Sequence, residues 1–289
     1  MKKLSIIACI LIFCAGVLWA QEKDKTEDKP KKEVKPVKHT FDSEELINVQ
    51  TTEMLRKKSL QFQIQHRFGS MENGISDLYG IFGAANIRLG LNYGITDRLN
   101  VGIGGAKTKH LYDLLWKYKI LRQSKSGSMP ISMVYFGDAE INTMDDDNFQ
   151  TLSNRMAYFH QLLIARKFSK KISFQVGASL THHNFIDTPD SLTDLSHDNI
   201  NICGAGRFNF SPQSSLILMY NHPLTPSDSV GTKPDLGLGV EISTGNHSFQ
   251  IFVATAGLIS YQENAVFNTN DFTAGEIMLG FNIVRKWRF

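Results

Sequence analysis

From Ser59 onward the chain alternates between apolar and polar positions. Leu60, Phe62, Ile64, His66 and Phe68 interleave with Gln61, Gln63, Gln65 and Arg67. Ile87, Leu89, Leu91, Tyr93 and Ile95 then stand against Arg88, Gly90, Asn92 and Gly94. A period of two gives a strand with one apolar and one polar face. The pattern predicts about twelve such strands. After the first two they run near 99–104, 112–120, 131–141, 156–168, 172–181, 199–210, 216–222, 236–242 and 248–258, and the last is 276–289. Connections near 97, 170, 212 and 245 are tight turns, and only 122–130 on that side is longer. The intervening ones, 69–85, 105–111, 142–155, 183–198, 223–234 and 259–274, are mostly longer. Long loops on one rim, short turns on the other and an even strand count describe an all-β fold: a transmembrane, antiparallel, up-and-down β-barrel with long extracellular loops and short periplasmic turns.

In hydrocarbon an unpaired peptide group costs several kcal/mol, so a strand array must close on itself. A barrel of about twelve strands is wider than the roughly eight-strand case that side chains just fill, and narrower than the 16-strand porins. The last strand sets Ile277, Leu279, Phe281 and Ile283 against Glu276, Gly280, Asn282, Lys286 and Arg288, and continues through Trp287 to Phe289. This aromatic ending resembles the terminal signal of bacterial outer-membrane barrels. The resemblance implies that Phe281, Trp287 and Phe289 are read by the barrel-assembly machinery.

Composition fits that picture. The hydrophobic share of 42% and mean hydropathy of -0.18 are too polar for a helical membrane protein. Beyond the leader no run approaches the roughly 18 apolar residues that a spanning helix needs. Lys2 and Lys3, the apolar stretch from Leu4 to Trp19, and Ala20 before Gln21 read as a signal peptide over 1–20. Residues 21–40, rich in Lys, Glu, Asp and Pro, are expected to form a disordered periplasmic tether. Residues 41–58 carry Leu46, Ile47, Val49 and Leu55, and are expected to pack under or just inside the barrel mouth, before the barrel at 59–289. Cys9 and Cys14 fall in the leader, which leaves Cys203 alone and no internal disulfide. The net charge of +3 loses Lys2 and Lys3 on processing, and a near-neutral chain is no nucleic-acid binder.

Three segments carry a family resemblance. His66-Arg67-Phe68-Gly69, then Ala85 to Leu91 with Tyr93 to Leu99, and Lys117 to Gln123 are similar to a β-barrel domain family of unknown function from Bacteroidetes-type bacteria. The resemblance covers nearly everything after Phe41 and implies an outer-membrane barrel. It supplies no activity, ligand or catalytic residue.

The inward parity holds Arg67, Arg88, Asp113, Lys117 and Lys119, and later Arg207, Glu241 and Glu276. One reading is a basic stripe that draws anions through a lumen; the other is a set of ion pairs that fills a plugged barrel. Ile75, Leu78, Tyr79, Ile81 and Phe82 make the first long loop unusually apolar, so it is expected to fold inward as a constriction or cap or to form a small ligand-binding lid, with contact to lipid headgroups as the alternative. His182, His183, Asp187 and His197 share one loop, but adjacent histidines on a strand point to opposite faces, which disfavours a metal site. Asp145-Asp146-Asp147-Asn148 lacks the ligand spacing of an EF-hand. No Gly-x-Ser-x-Gly or His-Glu-x-x-His motif is present. The outward histidines, His66 and His160, have no evident serine partner for lipid hydrolysis.

The expected protein is therefore a passive channel or binding barrel for a small anionic or lipidic molecule, with no cofactor or catalysis. Its partners would be outer-membrane lipid, the assembly machinery and an unidentified small ligand. A structural or adhesion barrel acting through its loops is the alternative, and a membrane-embedded hydrolase is the minor one.

Overall fold

The computed structural model describes residues 35–145, 149–186 and 195–289. The expected signal peptide and most of the expected tether lie outside the described residues, as do Asp146, Asp147, Asn148 and Asp187. Two short strands, β1 (Glu45–Leu46) and β2 (Val49–Gln50), precede twelve longer ones. Those twelve form one closed barrel in which every neighbouring pair is antiparallel and, apart from the closing pair, consecutive in the chain. They are β3 (Ser59–Ser70), β4 (Asn86–Gly94), β5 (Leu99–Ala106), β6 (Leu111–Leu121), β7 (Ser132–Asn142) and β8 (Met156–Lys167). The other six are β9 (Ile172–His183), β10 (Asp198–Asn209), β11 (Ser214–Pro223), β12 (Asp235–Ser243), β13 (His247–Ala254) and β14 (Met278–Arg288). The seam between β14 and β3 closes the ring, with Ile283 opposite Ile64 and Trp287 opposite Leu60. Closure leaves no strand edge exposed.

The alternation in the sequence becomes an inside-out protein. Leu89, Leu91, Phe174, Val176, Leu216, Leu218, Leu238 and Val240 face outward and are exposed, while Gln61, Gln63, Gln65, Arg67 and Arg88 are buried inside. So wide an apolar surface marks contact with lipid, not water. Two glycines make room for the contents. A Cβ at Gly104 would come 2.3 Å from Arg88 Nη2, and one at Gly90 would come 2.9 Å from Arg88 Nη1.

The lumen is filled from both ends. Residues 35–58 enter from the short-turn rim. They first run beside the β6–β7 connection, where Val37 N donates to Gln123 O (2.9 Å) and Lys125 N to Lys35 O (2.9 Å). Residues 35–37, within the span expected to be a disordered tether, thus have backbone partners. This pairing also accounts for the one long connection on the short-turn side. Inside the barrel β1 and β2 then pair as a small hairpin. From the long-connection rim, residues 255–268 dip inward around a short helix, α1 (Tyr261–Phe267), capped by Ser260, whose hydroxyl accepts from Glu263 N (3.1 Å).

The first long loop does not fold inward as expected. Ile75 and Phe82 are each 77% exposed. The loop closes on itself instead: Tyr79 N donates to Gly74 O (2.6 Å) and Gly80 N to Asp77 Oδ1 (2.8 Å). Space in the lumen is already taken by α1 and the hairpin.

Candidate functional site

The lumen has two unlike halves, and the hairpin matches both. On one side Leu163, Ala205, Ile217, Met219 and Phe252 of the wall pack against Phe41, Leu46, Ile47 and Val49, none of them more than 4% exposed. On the other side wall amides hold the hairpin carboxylates. Gln63 and Gln65 donate to the two oxygens of Glu45 at 2.7 and 3.0 Å, and Gln61 donates to Glu44 at 3.1 Å. The hairpin backbone is satisfied by side chains from the wall. Gln250 Nε2 donates to Glu45 O (2.8 Å), Ile47 N to Gln250 Oε1 (3.1 Å), and Gln175 Nε2 to Gln50 O (2.6 Å). A buried segment with too few backbone partners of its own survives only on such terms.

Charged groups fix the same segment. Arg207 pairs with Asp42 (2.5 Å), and Lys286 with Glu44 (2.9 Å). Arg67, fully buried, donates from Nη2 to Ile47 O (3.1 Å) and Asn48 Oδ1 (2.6 Å), and from Nη1 to Asn282 Oδ1 (3.0 Å). Lys117 donates to Glu44 O (3.0 Å) and Gln50 Oε1 (3.1 Å). Glu241 accepts from Ser248 Oγ and Gln250 Nε2, each at 3.0 Å. Deeper along the barrel Arg88 forms a two-pronged pair with Asp113, at 2.8 Å from Nε and 2.6 Å from Nη2, and a third bond to Gln65 Oε1 (3.0 Å).

The two plugs meet. Gln50 Nε2 donates to the Tyr261 hydroxyl at 2.5 Å, and the Tyr261 ring stacks on Phe159 with centroids 5.3 Å apart. Gln262 donates to Asp138 Oδ1 (3.1 Å), and Lys109 pairs with Glu263 (2.5 Å) while lying over the Phe267 ring. Between hairpin and helix remains about 10 Å³, bordered by Glu45, Arg88, Asp138, Glu140 and Tyr261. That is about the volume of one water. The lumen is shut in this conformation.

Of the charged residues that parity assigns to the lumen, Arg67, Arg88, Lys117, Arg207 and Glu241 are buried there, Asp113 is joined to Arg88, and Lys119 is half-buried toward the short-turn rim. Glu276 is a correction: β14 starts at Met278, so Glu276 lies in the preceding loop and accepts from Asp271 N (2.6 Å). Asp138 and Glu140, on the inward parity of β7, also join the buried network. Nothing but that parity marks them in the sequence. Phe281 stacks on His66 with centroids 4.9 Å apart, Arg285 lies over Trp287, and Phe289 is exposed. The His160 Nδ1 meets the Tyr135 hydroxyl at 2.7 Å. Among the described residues no group of three or more His, Cys, Asp or Glu side chains converges as a metal site.

Residues 41–287 match a family described as a membrane bound beta barrel domain, DUF5777. The chain belongs to that family. No curated protein matches it significantly. Among solved structures it is similar to the NanC porin, at 10% identity and a TM-score of 0.49, over 80% of this chain and 100% of that one. The KdgM porin in complex with disordered oligogalacturonate gives 9% and 0.45, over 80% and 99%. The COG4313 outer membrane channel from Pseudomonas putida F1 gives 11% and 0.49, over 82% and 98%. The architecture of this DUF5777 barrel stands on its own pairing register and not on these distant likenesses.

Glu53 clamps the neck of the inner plug, where its Oε1 accepts from Thr40 N (2.6 Å) and Phe41 N (3.2 Å). Burial pushes this carboxyl up, but the His39 hydrogen bond, the field of Lys119 and the Phe41 amide outweigh it and bring it to about 2. A carboxyl held below its usual 4.5 stabilises the fold fully above that value, and the contribution disappears as pH falls through about 2. The difference corresponds to about 3 kcal/mol. Pepsin cleavage within 40–55 is therefore expected to appear only as pH drops from about 4.5 toward 2. In Glu53→Gln the cleavage should lose this pH dependence; a variant that keeps the wild-type profile would remove Glu53 from the clamp.

Proposed function

We propose that this chain is an outer-membrane barrel of a Bacteroidetes-type cell that acts passively on a small molecule, through a lumen closed at rest by its own amino-terminal segment. The observation that carries this reading is a polar lumen occupied by two segments that are not part of the wall. Inside the barrel the hairpin is held to the wall largely by side-chain contacts, which lie outside the strand ladder. The wall itself is no basic stripe: Arg67, Arg88, Lys117 and Arg207 share the lumen with the buried carboxylates Asp138, Glu140, Asp235 and Glu241, and Arg88 is paired with Asp113. Strong anion selectivity in the lumen is therefore not part of the proposal. The proposal assigns no catalysis to the outward histidines: His66 stacks on Phe281, and His160 Nδ1 meets the Tyr135 hydroxyl.

Ser43 Oγ donates to Ser248 Oγ at 2.8 Å, plug to wall. With Ser43→Cys and Ser248→Cys, planar-bilayer recordings are expected to show rare openings under reducing conditions and none after oxidation. A second reading, a permanently filled barrel that acts through its loops, is favoured by the apolar cluster around Phe41 and Leu46. Silence of the reduced protein at every voltage would select that second reading and end the first.

A further inference from the structure

We propose that the short-turn mouth holds a binding site for a carboxylate-bearing polyanion, the glycan–peptide mesh that faces this rim in the envelope. A recess of about 720 Å³ opens there beneath the ends of the strands. The entering segment supplies Lys35 and Lys38. The lead into β3 adds Arg56, Lys57 and Lys58, the β6–β7 connection adds Arg122 and Lys125, and the end of β14 adds Arg288. Among the described residues Asp97 is the only acidic side chain that lines the recess, and it accepts from Lys57 N (3.0 Å).

These cations differ from those inside the barrel. Arg88 and Arg207 are each matched to a carboxylate, and Arg67 to carbonyl and amide oxygens. Among the described residues none of the cations lining the recess forms an ion pair, and all are exposed. A concave patch of one sign concentrates counter-charge, and so many cations in one recess suit a ligand with several anionic groups. The site is built and not incidental. The Pro36–Ser124 bridge and the flanking backbone bonds hold Lys35, Lys38 and Lys125 in one register.

Other polyanions fit less well. A nucleic acid would look for stacking platforms, and among the described residues Phe289 is the only aromatic one in the lining. An anionic lipid headgroup is the weaker candidate, because one wall of the recess is the entering segment at 35–38, paired to the β6–β7 connection and not a lipid-facing strand. A carboxylated polymer on the aqueous side reaches the recess without either cost.

The inference rests on the orientation proposed above, with short turns facing the cell wall, but its test does not depend on conduction. The probe is purified sacculi, co-sedimented with the detergent-purified protein at about 50 and about 300 mM salt, since screening shortens the reach of exposed charge to below about 10 Å. Binding is expected at low salt and loss at high salt. Lys57→Glu, Lys58→Glu, Arg122→Glu and Lys125→Glu together should weaken it at least about tenfold, whereas Lys170→Glu with Lys171→Glu, on the β8–β9 turn outside the recess, should not. Unheated-gel mobility checks that each variant is folded. Equal loss in both variants would overturn the site, and so would preferential capture by phosphatidylglycerol vesicles over sacculi. Binding without openings in bilayers would leave this site standing and remove the conduit; openings without binding would do the reverse.

Discussion

Truncating Phe41 and Leu46 together to alanine is expected to release the inner plug while the barrel stays closed. Both side chains are fully buried in the cluster with Ile217, Met219 and Phe252. The four apolar plug residues, Phe41, Leu46, Ile47 and Val49, contribute about 2 kcal/mol each through burial, which makes spontaneous expulsion rare. Truncating two of them loses that burial and also leaves a cavity at each site, at about 3 kcal/mol apiece, so the plug-out population should rise by a factor of about 10^4. Both side chains tie plug to wall and neither ties strand to strand, so the ladder should survive. Two readouts follow: frequent openings in a planar bilayer, and protease cleavage between residues 41 and 58 in a protein that still runs as a folded barrel on an unheated gel. Intact protection of that segment in Phe41→Ala/Leu46→Ala would refute this apolar cluster as the force that holds the plug.

The second large effect lies at Arg88, and here the ladder itself should weaken. Arg88 and Asp113 sit on β4 and β6, either side of β5, with side chains only 6% and 7% exposed. In Arg88→Ala the Asp113 carboxylate is left buried beside Asp138, Glu140 and Glu45, which border the same residual space. Breaking one side of such a pair costs about 3–5 kcal/mol, mostly the penalty of the orphaned charge. Urea unfolding in detergent should show a loss of that size. Arg88→Met with Asp113→Leu should recover most of it, because an apolar pair of similar volume leaves no charge behind. A loss below about 1 kcal/mol in Arg88→Ala would mean that water or the neighbouring amides already neutralise the site.

The wall was legible in the sequence because its code is short-range. Gln61, Gln63 and Gln65 against Phe62, Ile64 and Phe68 state the two faces of β3 within ten residues, and lipid on one side enforces the alternation. The contents of the lumen were legible only in outline, as a segment at 41–58 under or just inside the mouth and inward charges of both signs. The strands β1 and β2 are two residues each, too short for any period, and their partners Gln250 and Asn282 stand 203 and 235 positions from Ile47 in the chain. Similarly, α1 spans only Tyr261–Phe267 within a connection that reads merely as long. Apolar content misleads at Ile75 to Phe82, where the loop satisfies its own backbone and leaves its side chains outside. Parity misleads at Glu276, since the ladder does not reach it and a register shift lies between Met278 and Gly280 at the start of β14.

The grip on Ile47 has a consequence for biogenesis. Its carbonyl accepts at once from Arg67 on β3 and Asn282 on β14, and those two side chains also bond each other. They come from opposite ends of the barrel's sequence and become neighbours only when the ring is sealed. The clasp therefore cannot exist in a half-built sheet, and shelter of the segment around Ile47 is a built-in sign that the final zippering has taken place.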